Sequence, residues 1–213
     1  MVVLLQNLLQ LAPGVFALFY HYAFGKFSKK AAAFLTNFFL FGFILVNAIL
    51  FVIVFFVTND SELLRAVMAG ICGALGVAGA ILYYRSGSAS ELYIPRRIST
   101  ALLKSARNPG GALGALALGA ASALSECLFT IPLFIMATLQ IKTFDSNLIQ
   151  FELIATDLIL LFVPFIVLRI LFRSGGNLAD VIRMRVRNKD FYRLMFLFVF
   201  LLLAAGLYNF GVL

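Results

Sequence analysis

Two carboxylates stand where hydrocarbon is expected. Glu126 falls within ALALGAASALSECLFTIPLFIMATLQI, residues 115–141, and Asp157 falls near the middle of the next apolar run. A carboxylate inside a bilayer is costly, and it ordinarily faces a cavity, a partner or a transported species. Ser122, Glu126 and Thr130 are four apart, which on a helix puts them on one face. Gln150, Asp157 and Pro164 recur every seven residues and share a face of their own. Asn47 reaches a similar depth in an earlier run, and Gln6, Gln10 and Gly14 line one side of the first. This pattern predicts a polar cavity in which Glu126 and Asp157 bind a cation or carry a proton, with Asn47, Gln10, Ser122 and Thr130 as polar ligands. The plainer reading makes each acid a structural group bonded to a neighbouring helix, or lets Glu126 reach outer headgroups. Asn47 and Gln10 are then interhelical packing glue. Counting about 1.5 Å per residue puts Asp157 near mid-membrane and Glu126 somewhat closer to the outside.

Other chemistries are poorly supplied. Cys72 and Cys127 are the only thiols, and their depths agree within about one helical turn, roughly 5 Å, so a redox pair is geometrically open. A buried thiol is more often a small apolar filler. Neither cysteine has zinc-like spacing, and a single histidine, His21, leaves no His-cluster metal site. No nucleophile, base and orienting group share a catalytic spacing, so no enzyme and no cofactor is expected.

The elements that must position these residues are membrane helices. Of the 213 residues, 63% are hydrophobic, against about half in a soluble domain, and the mean hydropathy is +1.04. Apolar runs predict an all-α integral membrane protein with six transmembrane helices, over residues 2–23, 31–57, 63–84, 111–141, 148–172 and 191–212. Residues 94–106 read as an amphipathic helix lying on the membrane surface, started by Pro95. Pro13-Gly14, Pro132 and Pro164 interrupt the first, fourth and fifth helices, freeing backbone groups that something else must satisfy. Gly70, Gly73, Gly76 and Gly79, and then Gly111, Gly114, Ala115 and Gly119, form small-residue stripes that suit close helix packing or a homo-oligomer.

Charge sets the orientation. Three loops, with the residues at their helix ends, hold fifteen of the 17 Lys and Arg, and only Arg65 and Lys142 fall on the other side. By the positive-inside rule both termini are external. The net charge of +8 therefore reflects topology rather than nucleic acid, and the expected partners are membrane lipids and a small solute or ion. The expectation is one multi-pass domain, 1–213, in the cell membrane: a three-helix half over 1–84, a basic cytoplasmic connection over 85–110 and a second half over 111–213. Three helices per half give an inverted 3+3 repeat. Leu11-Ala12-Pro13-Gly14-Val15-Phe16 can be laid on Leu124-Ser125-Glu126-Cys127-Leu128-Phe129, each in the first helix of its half.

Six helices, a proline-interrupted helix opening each half, and external termini resemble the lysine-exporter (LysE) superfamily, which includes amino-acid exporters and the CcdA-type thiol transporters of cytochrome c maturation. Pro13-Gly14 resembles the exporters' Pro-Gly motif, with Val15 where a second proline is usual. GALALGAASALSEC, residues 114–127, resembles the lead into the helix-4 cysteine of the thiol transporters, and Val163-Pro164-Phe165 resembles their helix-5 proline. The resemblance implies a transporter with alternating access around broken helices 1 and 4. Its alternative is a transmembrane thiol–disulfide electron carrier using Cys72 and Cys127. The second departs from the pattern, because the helix-1 cysteine is replaced by Gly14 and the remaining thiol, Cys72, is on helix 3.

Overall fold

The computed structural model describes residues 11–58, 62–86, 96–142, 144–173 and parts of 187–205. Its described residues are helical, with no strand among them. The helices are α1 (Leu11–Lys26), α2 (Lys29–Val57), α3 (Glu62–Ser86), α4 (Arg96–Ala106), α5 (Ala112–Ser125), α6 (Cys127–Ile141), α7 (Asn147–Leu160) and α8 (Val163–Arg173). Residues 197–202 are helical as well. Gln6 and Gln10, the loop before Pro95 and most of the expected last helix lie outside the described residues.

Two stretches are long and apolar enough to cross a membrane, Lys29–Val57 and Asn147–Arg173. A third results if the bent pair α5–α6 is counted as one span. α2 runs unbroken for 29 residues, about 43 Å. Ser28 starts it by accepting the Ala31 N–H at 3.4 Å. Thr58 leaves it in extended backbone, with its N–H on the Val54 carbonyl. Its outward side chains, Phe34, Phe41, Ile49, Val52 and Phe56 among them, are large, apolar and exposed, as lipid contact requires.

The spans expected over 111–141 and 148–172 are each interrupted. The first divides at Glu126, with 71° between its two arms. Pro132 lies inside α6 rather than at the bend. A proline cannot donate to the carbonyl four residues earlier and its ring crowds that carbonyl, so the distortion falls about one turn before it. Pro164 acts the same way: α7 stops at Leu160, four residues before it, and α8 resumes at Val163. Pro13 sits in the first turn of α1, where a missing N–H is tolerated.

The core forms along α2. Gly42 of α2 faces the Leu116 carbonyl and Gly119 of α5 faces the Phe39 carbonyl, so the two backbones meet with no side chain between them. On either side, Phe16 and Phe19 of α1 pack on Phe39 with ring centroids 5.4 and 5.5 Å apart. Phe165 of α8 meets Phe16 and Phe43 at 5.2 and 4.8 Å. Further along α2, Phe51 meets Phe134 of α6 at 4.9 Å. Of the glycine stripe on α3, Gly76 lies against Phe200, while a side chain at Gly70 or Gly73 would meet nothing within 4 Å. Between α4 and α5 the chain turns at Gly110 and Gly111, whose φ values of +70° and +102° favour glycine.

Polar contacts join the helices at both ends of the bundle. At one end Tyr22 donates to Asn108 at 3.1 Å and Arg169 donates to Asn37 at 3.2 Å. At the other, Lys142 reaches the Thr58 carbonyl at 2.6 Å and stands over the Phe55 ring.

Candidate functional site

Glu126 is the residue at which the α5–α6 span breaks, and it is 1% exposed. Its backbone still bonds within the helix, to the Ala123 carbonyl at 3.1 Å. Its side chain crosses to α1, where Oε1 accepts the Ala12 N–H at 2.6 Å. That N–H belongs to the second residue of α1 as described, Leu11–Lys26. At this distance a carboxylate oxygen makes a short hydrogen bond to a backbone amide. The break in α5–α6 is therefore linked to α1 by this carboxylate.

Three of the other described candidates lie within about a turn of the same level. Thr130 Oγ1 donates to the Glu126 carbonyl at 3.0 Å, and Ser122 Oγ donates to the Leu118 carbonyl at 2.8 Å. Asn47 Nδ2 donates to the Phe43 carbonyl at 2.9 Å. All three side chains are buried, Asn47 at 2% exposure. Because Gly42 lies opposite α5 and Phe51 opposite Phe134 of α6, Asn47, between them, is level with the break at Glu126. Phe165 packs on Phe43 and Leu161 belongs to the Phe51 cluster, so the α7–α8 interruption is at this level too.

These hydrogen bonds have a chemical consequence. Ser122, Thr130 and Asn47 spend a donor on the preceding turn of their own helix, and both hydroxyls keep only lone pairs to offer. Pro132 and Pro164 cannot donate to the carbonyls of residues 128 and 160. Ser122, Thr130 and Asn47 keep side-chain oxygens that can still accept.

Asp157 is placed apart from this junction. It is half-buried, one turn before Leu161, and its helix neighbours Leu153, Ile154 and Leu158 pack on the Phe51–Phe134 cluster. One turn is about 6 Å, so Asp157 is nearer the Thr58 end than Glu126 is. Counting along straight helices gives the opposite order, because it ignores the bend that turns α6 away from the axis of α5.

The two thiols are not brought together. Cys72 is buried in a cluster with Met68, Leu133, Ile135 and Leu139. Leu133 is six residues beyond Cys127 on α6, about 9 Å along the helix, whereas bridged cysteines have Cβ atoms about 4 Å apart. Cys127 is half-buried with Sγ toward the Ala123 carbonyl, and both thiols are free. Among the described residues no three His, Cys, Asp or Glu side chains are grouped to hold a metal ion.

Sequence reasoning passed over Gly42 and the Ala12 N–H, and quoted Phe165 only as the neighbour of Pro164. Gly42 carried a signal, as a small residue alone among Phe and Leu on an otherwise bulky helix. A backbone donor carries none. The chain matches no family model, no curated protein and no solved structure.

Proposed function

We propose that this chain is a multi-pass cell-membrane transporter of a small solute or ion. In this reading it has six spans in two inverted three-helix halves with external termini, and alternates access around the junction of its broken helices. The observation that carries the reading is the buried Glu126 carboxylate, held between the break in α5–α6 and the first turn of α1. A carboxylate seldom occupies such a place without a task. Because Ser122, Thr130, Asn47 and the carbonyls at the breaks present acceptors, the species they suit is a cation, an ammonium group or a proton. A cation or proton that takes Glu126 competes with the Ala12 N–H and loosens α1 from the break. Asp157, nearer the Thr58 end, is then a second carboxylate on the route.

The test is reconstitution in vesicles with a pH dye inside, imposing gradients of small cations and amino acids one at a time. A solute-driven proton flux is expected from the wild type, to be lost in Glu126→Gln and reduced in Asp157→Asn. Undiminished flux in both variants removes these acids from the mechanism.

A further inference from the structure

α4 has two unlike faces. Ser99, Leu102 and Ala106 are buried against the bundle, and Leu102 and Ala106 belong to the core cluster that includes α1 and α5. The opposite face carries Arg97, Lys104 and Arg107, all exposed. At its end the Tyr22 hydroxyl accepts from Lys26 Nζ at 2.9 Å and donates to Asn108 Oδ1 at 3.1 Å. The Lys26 ammonium also stands over the Tyr22 ring, 5.3 Å from its centroid. This fixes a cation from α1 beside the end of α4 and leaves the Asn108 amide N–H groups and two ammonium N–H groups for an acceptor.

No described acidic side chain serves these cations. Asp145 and Glu152 are at the opposite end, with Lys142, while Glu126 and Asp157 are in the interior of the bundle. Arg169 and Arg173 add to the same basic end, since Phe172 of α8 stacks on Tyr20 of α1. A face of cations and amide donors at a membrane edge, with no counter-charge among the described residues, complements a phosphodiester anion. We propose that the exposed face of α4, with Lys26 and Asn108 at its end, binds the phosphate of an anionic lipid headgroup. The lipid is the fitting source, because the face is amphipathic and carries an exposed apolar side chain, Ile98, next to Arg97.

The test uses the full chain in nanodiscs of phosphatidylcholine with 20% phosphatidylglycerol, reading retained lipid by native mass spectrometry. Each charge removed near such a surface weakens retention about fivefold, so Lys104→Gln/Arg107→Gln should hold phosphatidylglycerol about 25-fold less well than wild type. Lys26→Gln should cost about fivefold, and Lys142→Gln, at the other end, nothing. These side chains are exposed, so the fold survives their replacement. Retention unchanged in the double variant overturns the proposal. So does an equal loss in Lys142→Gln, which means unspecific charge attraction, or displacement of the lipid by millimolar inorganic phosphate, which means a site for the free anion.

Discussion

The crossing of α2 and α5 gives the sharpest test of the architecture. A methyl group on Gly42 would overlap the Leu116 carbonyl oxygen and lie 3.0 Å from its carbon and 3.2 Å from the Ala120 nitrogen. One on Gly119 would overlap the Phe39 carbonyl oxygen and lie 2.9 Å from its carbon and 3.0 Å from the Phe43 nitrogen. Carbon contacts are favourable near about 3.5–4.0 Å, and the atoms in the way are helix backbone, which cannot swing aside. The helices must separate, loosening the Phe16–Phe39–Phe165 cluster beside them. Overpacking of this kind costs about 1–3 kcal/mol, with the upper end expected here because backbone must move. Alanine recovers up to about 1 kcal/mol through helix propensity, leaving a net loss of about 1–2 kcal/mol. In a chain of this size that is a fall of roughly 2–8 °C in Tm, read by thermal denaturation in detergent. Gly70→Ala is the control: its methyl meets nothing within 4 Å, so propensity alone acts and Tm should rise. The double variant Gly42→Ala/Gly119→Ala should lose less than the sum of the singles, since one displacement relieves both clashes. If Gly42→Ala melts at or above the wild-type temperature, the close approach of α2 and α5 is wrong.

Phe165→Ala should destabilise by about 3–5 kcal/mol, because the ring is 2% exposed and meets both Phe16 and Phe43; a loss under about 1 kcal/mol would place α8 elsewhere. Glu126→Ala should cost about 1–3 kcal/mol in the same melt, since the Ala12 N–H is left buried without an acceptor, whereas Glu126→Gln keeps an oxygen there and should lose less. Equal melting of the two variants would contradict the Ala12 bond. Cys72, fully buried, should resist a polar maleimide until the protein is unfolded, while half-buried Cys127 reacts in the folded state. Diamide should produce no intramolecular disulfide, and formation of one would revive the electron-carrier reading.

Hydropathy made the long helices legible, because a run of apolar residues in lipid has little choice but to satisfy its backbone as a helix. The expected span 31–57 and the structural Lys29–Val57 differ by two residues at one end, where Ser28 caps the helix. The amphipathic helix was legible for a related reason, since its period of 3.6 separates Leu102 and Ala106 from Arg97 and Lys104. The bend was legible only as a proline nearby. Pro132 announces a disturbance, yet the disturbance falls at Glu126, one turn and a half earlier and two residues before the carbonyl that the proline cannot bond. Pairing was not legible at all. Nothing in the order of residues says that Gly42 meets Gly119 or that Glu126 reaches Ala12, since both contacts depend on which helices become neighbours.

The position of Glu126 follows from a constraint that membrane helices impose. Each break strands backbone groups at a depth where water is scarce, and each stranded group must find a partner inside the protein. The interruptions before Pro132 and Pro164 leave carbonyls that the prolines cannot bond. Setting the α5–α6 break beside α1 lets its carboxylate meet a backbone amide of the neighbouring helix, as the Glu126–Ala12 bond does. The side-chain oxygens of Ser122, Thr130 and Asn47 are left as an excess of acceptors over the donors they have spent. Under the transport reading that excess is the cation's seat, and sharing one carboxylate between the Ala12 N–H and the cation couples occupancy to the hold of α1 on the break. A purely structural Glu126 predicts that Glu126→Gln changes stability and solute-driven flux together; a coupling Glu126 predicts that flux vanishes while most of the stability remains.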